Sequence, residues 1–180
     1  MRGPGRRHPS ALLGALSGAL LGALSGAFGA LFLVAACDEP LEVPSGHVGD
    51  GEVGRIMVLF GADPLRYRRD AWDLDSARIE NDTLRLHVRH GGGCERHRYA
   101  LVAWNGWLES NPVQAGVLLA HDSRGDACRA LLFPVLRFDL APLREAYLRA
   151  YGGQHGTVVL RLSDPVKPAA GSVGTVRWSF

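Results

Sequence analysis

Cysteine and histidine carry most of the reactive chemistry available to this chain of 180 residues. Cys94-x-x-His97 has the spacing of two metal donors on one turn. His121 with Cys128 would supply two more, so one reading is a Cys2His2 zinc site. His121 and Cys128 stand seven apart, however, which lacks the tight turn that presents two donors to one ion. The other reading joins Cys94 to Cys128 as a structural disulfide. The redox compartment decides between the two, and the third cysteine, Cys37, speaks to it.

Arg2, Arg6 and Arg7 form a basic n-region, and Ala11 to Ala36 follows without a charged residue. Leu33-Val34-Ala35-Ala36-Cys37 closes this run and resembles the bacterial lipobox, with Val34 where leucine is commoner. Residues 1–36 therefore read as a lipoprotein signal peptide, and Cys37 as the lipidation site and first residue of the mature protein. Two other readings are cleavage after Ala36 without lipidation and an uncleaved membrane span. Export removes Cys37 from the count and leaves Cys94 and Cys128 as an even pair in an oxidising compartment. Their bond would close a loop of about 35 residues, worth roughly 4 kcal/mol in the chain-entropy model. Within the signal, Ala11–Gly18 recurs unchanged as Ala19–Gly26, which spaces glycines four apart. An h-region has only to be apolar, so the repeat reads as a tolerated duplication rather than a helix-packing face.

Removing 36 of 180 residues leaves 144, one domain's worth of chain. The signal carries three arginines and no acidic residue, so 17 basic residues then face 18 acidic ones. A nearly neutral domain has no electrostatic footprint for nucleic acid. Residues 37–53 are rich in proline, glycine and acidic groups and read as a flexible tether. No G-x-S-x-G elbow, H-E-x-x-H motif or phosphate-binding glycine loop occurs, so no catalytic residue and no cofactor is expected. Gly91-Gly92-Gly93 precedes no helix and reads as a turn or bulge. Arg124-Gly125-Asp126 spells the integrin tripeptide, which chance explains in a bacterial loop. Trp72, Trp104, Trp107 and Trp178 read as core aromatics; Trp104 and Trp107, flanking Asn105-Gly106, are the pair that partial exposure would offer to a ligand.

From residue 54 onward the pattern is short apolar runs between turn residues. Ile56–Phe60 is a continuous run, and Asn81-Asp82 sits between two arms as a hairpin turn. In the second arm Leu84, Leu86 and Val88 alternate with Arg85, His87 and Arg89, the mark of a sheet with one wet face. Further strands are expected at 98–104, 117–121, 129–138, 157–162 and 175–180, with Pro134 marking a bulge or an edge. Pro142, Leu143, Ala146, Tyr147 and Ala150 give one short helix near 141–151, stopped by Gly152 and Gly153. The fold class is all-β: a β-sandwich of about seven short strands spanning 54–180, with a β-barrel as the alternative.

Several short stretches look alike in a known group: Gly92-Gly93-Cys94-Glu95-Arg96-His97, Glu109 to Gln114, His121-Asp122, Asp126-Ala127-Cys128 and Phe138 to Leu143. Over about residues 84–180 the chain resembles uncharacterised bacterial lipoproteins of the NigD-like kind. The resemblance implies a C-terminal β-sandwich and a surface lipoprotein, and it assigns no catalytic residues. It leaves residues 53–83 unexplained.

The leading expectation is a non-enzymatic lipoprotein of the bacterial cell envelope, facing the periplasm or cell surface. Its partners would be the membrane, through the N-terminal lipid, and an envelope protein or small ligand. The alternative is a zinc protein using Cys94, His97, His121 and Cys128. A hydrolytic enzyme comes third, because no nucleophile and base are visible together.

Overall fold

The computed structural model describes residues 40–42, 48–49, 52–53, 55–168 and 171–180. The expected signal 1–36 and Cys37 lie outside the described residues. Among the described residues, two mixed sheets face each other with their apolar rows inward, and one short α-helix joins them.

In the first sheet β5 (Asp73–Glu80), β6 (Thr83–Gly92) and β10 (Val135–Asp139) run antiparallel side by side. Asn81 and Asp82 turn β5 into β6 with φ of 45° and 58°, the left-handed pair that a two-residue hairpin needs. The short strands β1 (Val48–Gly49), β2 (Glu52–Val53) and β3 (Ile56–Met57) extend this sheet beyond β10. Leu41 also donates its backbone N–H to the Arg66 carbonyl at 2.6 Å. Pairing thus reaches into the span that composition marks as tether, because main-chain hydrogen bonds need no apolar side chains.

The second sheet contains, in order, β12 (Ser172–Ser179), β11 (Thr157–Ser163), β8 (Val113–Asp122), β7 (Arg98–Ala103) and β4 (Leu59–Phe60). Helix α1 (Ala141–Tyr151) carries the chain from β10 to β11. Pro142 lies in its first turn, Leu143 and Ala146 are buried, and the Gly152 N–H closes it on the Leu148 carbonyl.

The core forms where period-2 rows meet: Leu84, Leu86 and Val88 of β6 and Leu136 and Phe138 of β10 face Leu101, Val117, Leu119, Val158, Leu160 and Leu162. Trp72 and Trp178 belong to this core. The outer face of β7 and β8 is apolar too. Ala100, Val102, Leu118 and Ala120 are buried there under Leu59, Ala62, Tyr67 and Trp104. That second layer explains why β7 reads as a continuous apolar run rather than an alternating one.

Two expected runs are divided. Val58 separates β3, in the first sheet, from β4, in the second. Phe133-Pro134 separates β9 (Ala130–Leu132) from β10, and both pair with β6. His87 faces Val135 and His90 faces Leu132, so the register continues across the break without a bulge. Proline lacks the N–H and interrupts the ladder, while its carbonyl still accepts from Val88 at 3.3 Å.

Candidate functional site

Three inward rows end on polar rings at one end of the sandwich. The β6 row Leu84-Leu86-Val88 continues to His90, and the β8 row Val117-Leu119 continues to His121. The β7 row begins at Tyr99, which pairs directly with His121 across the ladder. His97 enters from the turn between β6 and β7. Relative exposures of His90, His97, His121 and Tyr99 are 5%, 4%, 1% and 1%. The three imidazoles cluster with ring centroids 4.4–5.0 Å apart, and the Tyr99 ring lies parallel to His121 with centroids 5.1 Å apart.

The turn that delivers His97 depends on Gly92, whose φ is +139°. A Cβ there would stand 2.6 Å from Cε1 and Nε2 of His97. Beyond Gly92 the backbone N–H groups of Gly93, Cys94 and Glu95 converge on Oδ2 of Asp126 at 2.8, 2.9 and 2.9 Å. Oδ1 of Asp126 accepts from the Cys128 N–H at 2.9 Å. The glycine run read as a turn is therefore also an anion nest, and its occupant is the protein's own carboxylate. Hydrogen bonds from Glu95, Cys128 and Cys94, then from His97, hold the Asp126 carboxyl far below the usual carboxylate range against the opposing effect of its burial. With its side chain 0% exposed, the aspartate of the Arg124-Gly125-Asp126 tripeptide is not presented to a partner.

Each histidine is held from outside by an oxygen acceptor. His90 Nδ1 donates to the Gly91 carbonyl at 2.9 Å, His121 Nδ1 to the Asp70 carbonyl at 3.3 Å, and His97 Nε2 to Asp126 Oδ2 at 3.1 Å. The remaining nitrogens face inward: His97 Nδ1 meets His121 Nε2 at 2.8 Å, and His90 Nε2 meets the Tyr99 hydroxyl at 2.5 Å. One nitrogen from each of the three histidines lies within 4.8 Å of the others. Burial pushes His121 down to about 4, with like charge from His90 and His97 adding to it. Burial also lowers His90 and raises Tyr99 well above a free phenol. Asp70 supports the group from behind. Burial opposes its ionisation, but the Ser123 hydroxyl and N–H, at 2.5 and 2.7 Å, outweigh that and hold it low.

Cys94 and Cys128 are joined, with Cα atoms 5.9 Å apart. A bonded sulfur carries no thiolate, so the two cysteines are not available as the zinc donors considered from spacing. Their bond instead ties the two loops that hold Asp126. His97 and His121 are brought together as that spacing suggested. Sequence spacing does not point to His90, Tyr99 or Asp70, although the alternation that marks Leu84, Leu86 and Val88 extends to His90 without a break.

A second feature lies elsewhere. Trp104, Asn105, Trp107, Leu108, Arg161 and Ser163 line part of a cavity of about 620 Å³. Trp107 is seated on Phe60 at 5.7 Å and against Tyr147 at 5.6 Å. Trp104 packs flat over Gly116, where a Cβ would come within 3.1 Å of the indole. Both are half-buried, while Trp72 and Trp178 are in the core.

No family model and no curated protein matches this sequence. Among solved structures, the chain is similar to a NigD-like immunity protein from Bacteroides caccae, at 15% identity and a TM-score of 0.48, over 71% of this chain and 65% of that one. It is also similar to a protein of unknown function from Bacteroides vulgatus, at 14% identity and a TM-score of 0.40, over 70% of this chain and 55% of that one. The chain thus spans less than two thirds of the length of either structure. The resemblance to NigD-like proteins read from short motifs recurs as a weak likeness of shape.

Proposed function

We propose that this protein is a non-enzymatic, lipid-anchored module of the bacterial envelope that binds a small polar ligand beside Trp104 and Trp107. The cavity walled by these two indoles carries the reading. Ligand sites are concave and mostly apolar, with a few polar groups that fix orientation. Here Trp104 and Trp107 supply flat apolar faces, and Asn105, Arg161 and Ser163 supply donors and acceptors at the rim. That combination suits a ring with one apolar face and a hydroxylated edge, such as a saccharide unit of the envelope. The export signal and Cys37 support placing the module at a membrane of an exported compartment.

Tryptophan fluorescence of the full-length protein in detergent tests the ligand, titrated with N-acetylglucosamine oligomers and other envelope saccharides. The expected result is a saturable change that Asn105→Ala, at an exposed position of the cavity lining, weakens at least tenfold while the melting midpoint stays within a few degrees. Absence of saturation with every saccharide overturns the saccharide reading. Cell fractionation tests the anchor: Cys37→Ala should move the protein to the soluble fraction, and retention in membranes would favour an uncleaved span.

A further inference from the structure

We propose that His90, His97 and His121 form a three-histidine site for one borderline divalent transition metal of the zinc class. Its donors are His90 Nε2, His97 Nδ1 and His121 Nε2, and the Tyr99 hydroxyl, 2.5 Å from His90 Nε2, is the candidate fourth ligand. This site is separate from the tryptophan cavity and does not depend on it.

The hydrogen bonds set the donor atoms. An oxygen acceptor at one ring nitrogen requires N–H there, which leaves the lone pair of a neutral imidazole on the other nitrogen. The Gly91 carbonyl, the Asp126 carboxylate and the Asp70 carbonyl occupy the outer nitrogens of His90, His97 and His121. That leaves the lone pairs of His97 and His121 facing each other and that of His90 on the Tyr99 hydroxyl. Metal-ligating histidines are held in this way, with the far N–H given to a carbonyl or carboxylate. The Asp126-His97 pair supplies the carboxylate–histidine arm of such a site.

Distances agree with a small cation. Two neutral imidazoles whose lone pairs face each other at 2.8 Å, as His97 and His121 do, repel unless a proton or a cation lies between them. Metal–nitrogen bonds of about 2.0–2.1 Å in a tetrahedron put donor nitrogens about 3.3 Å apart. To hold the ion, the contact between His97 and His121 opens by about half an ångström, and the His90 nitrogen, within 4.8 Å of the others, closes toward the same spacing. His90 Nε2 is already directed at Tyr99, whose oxygen can turn from hydrogen-bond donor to ligand or face a bound water. Imidazole donors select zinc, copper or nickel over magnesium and calcium, which take oxygen. The Cys94–Cys128 bond, Gly92 and the Asp126 nest all fix the loop that carries His97.

The test uses full-length protein, kept oxidised, treated with chelator, dialysed and titrated with Zn2+, Co2+ and Mg2+. One equivalent of Zn2+ should bind per chain and raise the melting midpoint, Co2+ should give the visible spectrum of a low-coordinate nitrogen site, and Mg2+ should do neither. His121→Gln and His90→Gln should each weaken Zn2+ at least 100-fold. Asp126→Asn, acting through His97, should weaken it about 10- to 100-fold. His155→Ala, at an exposed position outside the cluster, should leave it unchanged. Melting curves without metal show which variants fold, and any one folded cluster variant suffices for the comparison. No stoichiometric Zn2+ in the wild type, wild-type affinity in a folded His121→Gln protein, or loss of binding in His155→Ala would each overturn the proposal. Failure here leaves the saccharide titration unaffected, since the two sites share no residue.

Discussion

Gly91 and Gly92 are adjacent in β6, yet replacing each by alanine should have opposite consequences. At Gly91 the added Cβ meets nothing within 4 Å, and the residue is exposed. Alanine there should be neutral, or stabilise by about 0.4–1 kcal/mol through a less flexible unfolded chain. At Gly92 two costs combine. Its φ of +139° lies in a region essentially reserved for glycine, where another residue costs about 1–3 kcal/mol. The Cβ would also stand 2.6 Å from the His97 ring, so that ring must move away from Asp126 and His121. Unpairing a buried polar group adds about 1–3 kcal/mol. The sum is about 2–6 kcal/mol, a shift of roughly 1–3 M in the urea midpoint for a slope near 2 kcal/mol/M. Urea unfolding followed by far-ultraviolet circular dichroism gives both midpoints. Equal midpoints for Gly91→Ala and Gly92→Ala would refute the claim that His97 is locked in place by the missing side chain.

The Cys94→Ala/Cys128→Ala double variant should lose up to about 4 kcal/mol, and should share its urea midpoint with the reduced wild type; wild-type stability would show that the crosslink constrains nothing the fold does not already fix. Asp82→Ala removes the acceptor of the Trp178 indole N–H at 3.0 Å and puts alanine at a φ of 58°, so it should cost about 1–3 kcal/mol. Asp82→Asn keeps the oxygen and tolerates the turn, and an equal loss in both variants would count against the indole bond. In chelator, stability should fall on acidification from about pH 6.5 toward 4, because His121 in the folded protein takes up its proton later than in the unfolded chain. The unfolded state binds more protons in that window, so His121→Gln should flatten the slope; an unchanged slope would show that another group carries it.

Local pattern accounts for the all-β class, the Asn81-Asp82 hairpin and the helix at Ala141–Tyr151, because alternation, turn chemistry and a 3.6 period are written in neighbouring residues. The cysteine count, read with the expected export signal, similarly points to a bond between Cys94 and Cys128 without reference to contacts. Tertiary structure alone decided that Val58 divides one apolar run between two sheets, since both halves are equally apolar and only the available edges differ. It also decided the histidine site. His90, His97 and His121 come from two strands and a turn, and no spacing along the chain encodes the meeting of rows from β6, β7 and β8. Asp126 reads as a surface loop acid until the N–H groups of Gly93, Cys94 and Glu95, more than thirty residues earlier, close around it. Alternation along β6 puts His90 on the inward row; only the packing of the strands and turn brings His97 and His121 to it.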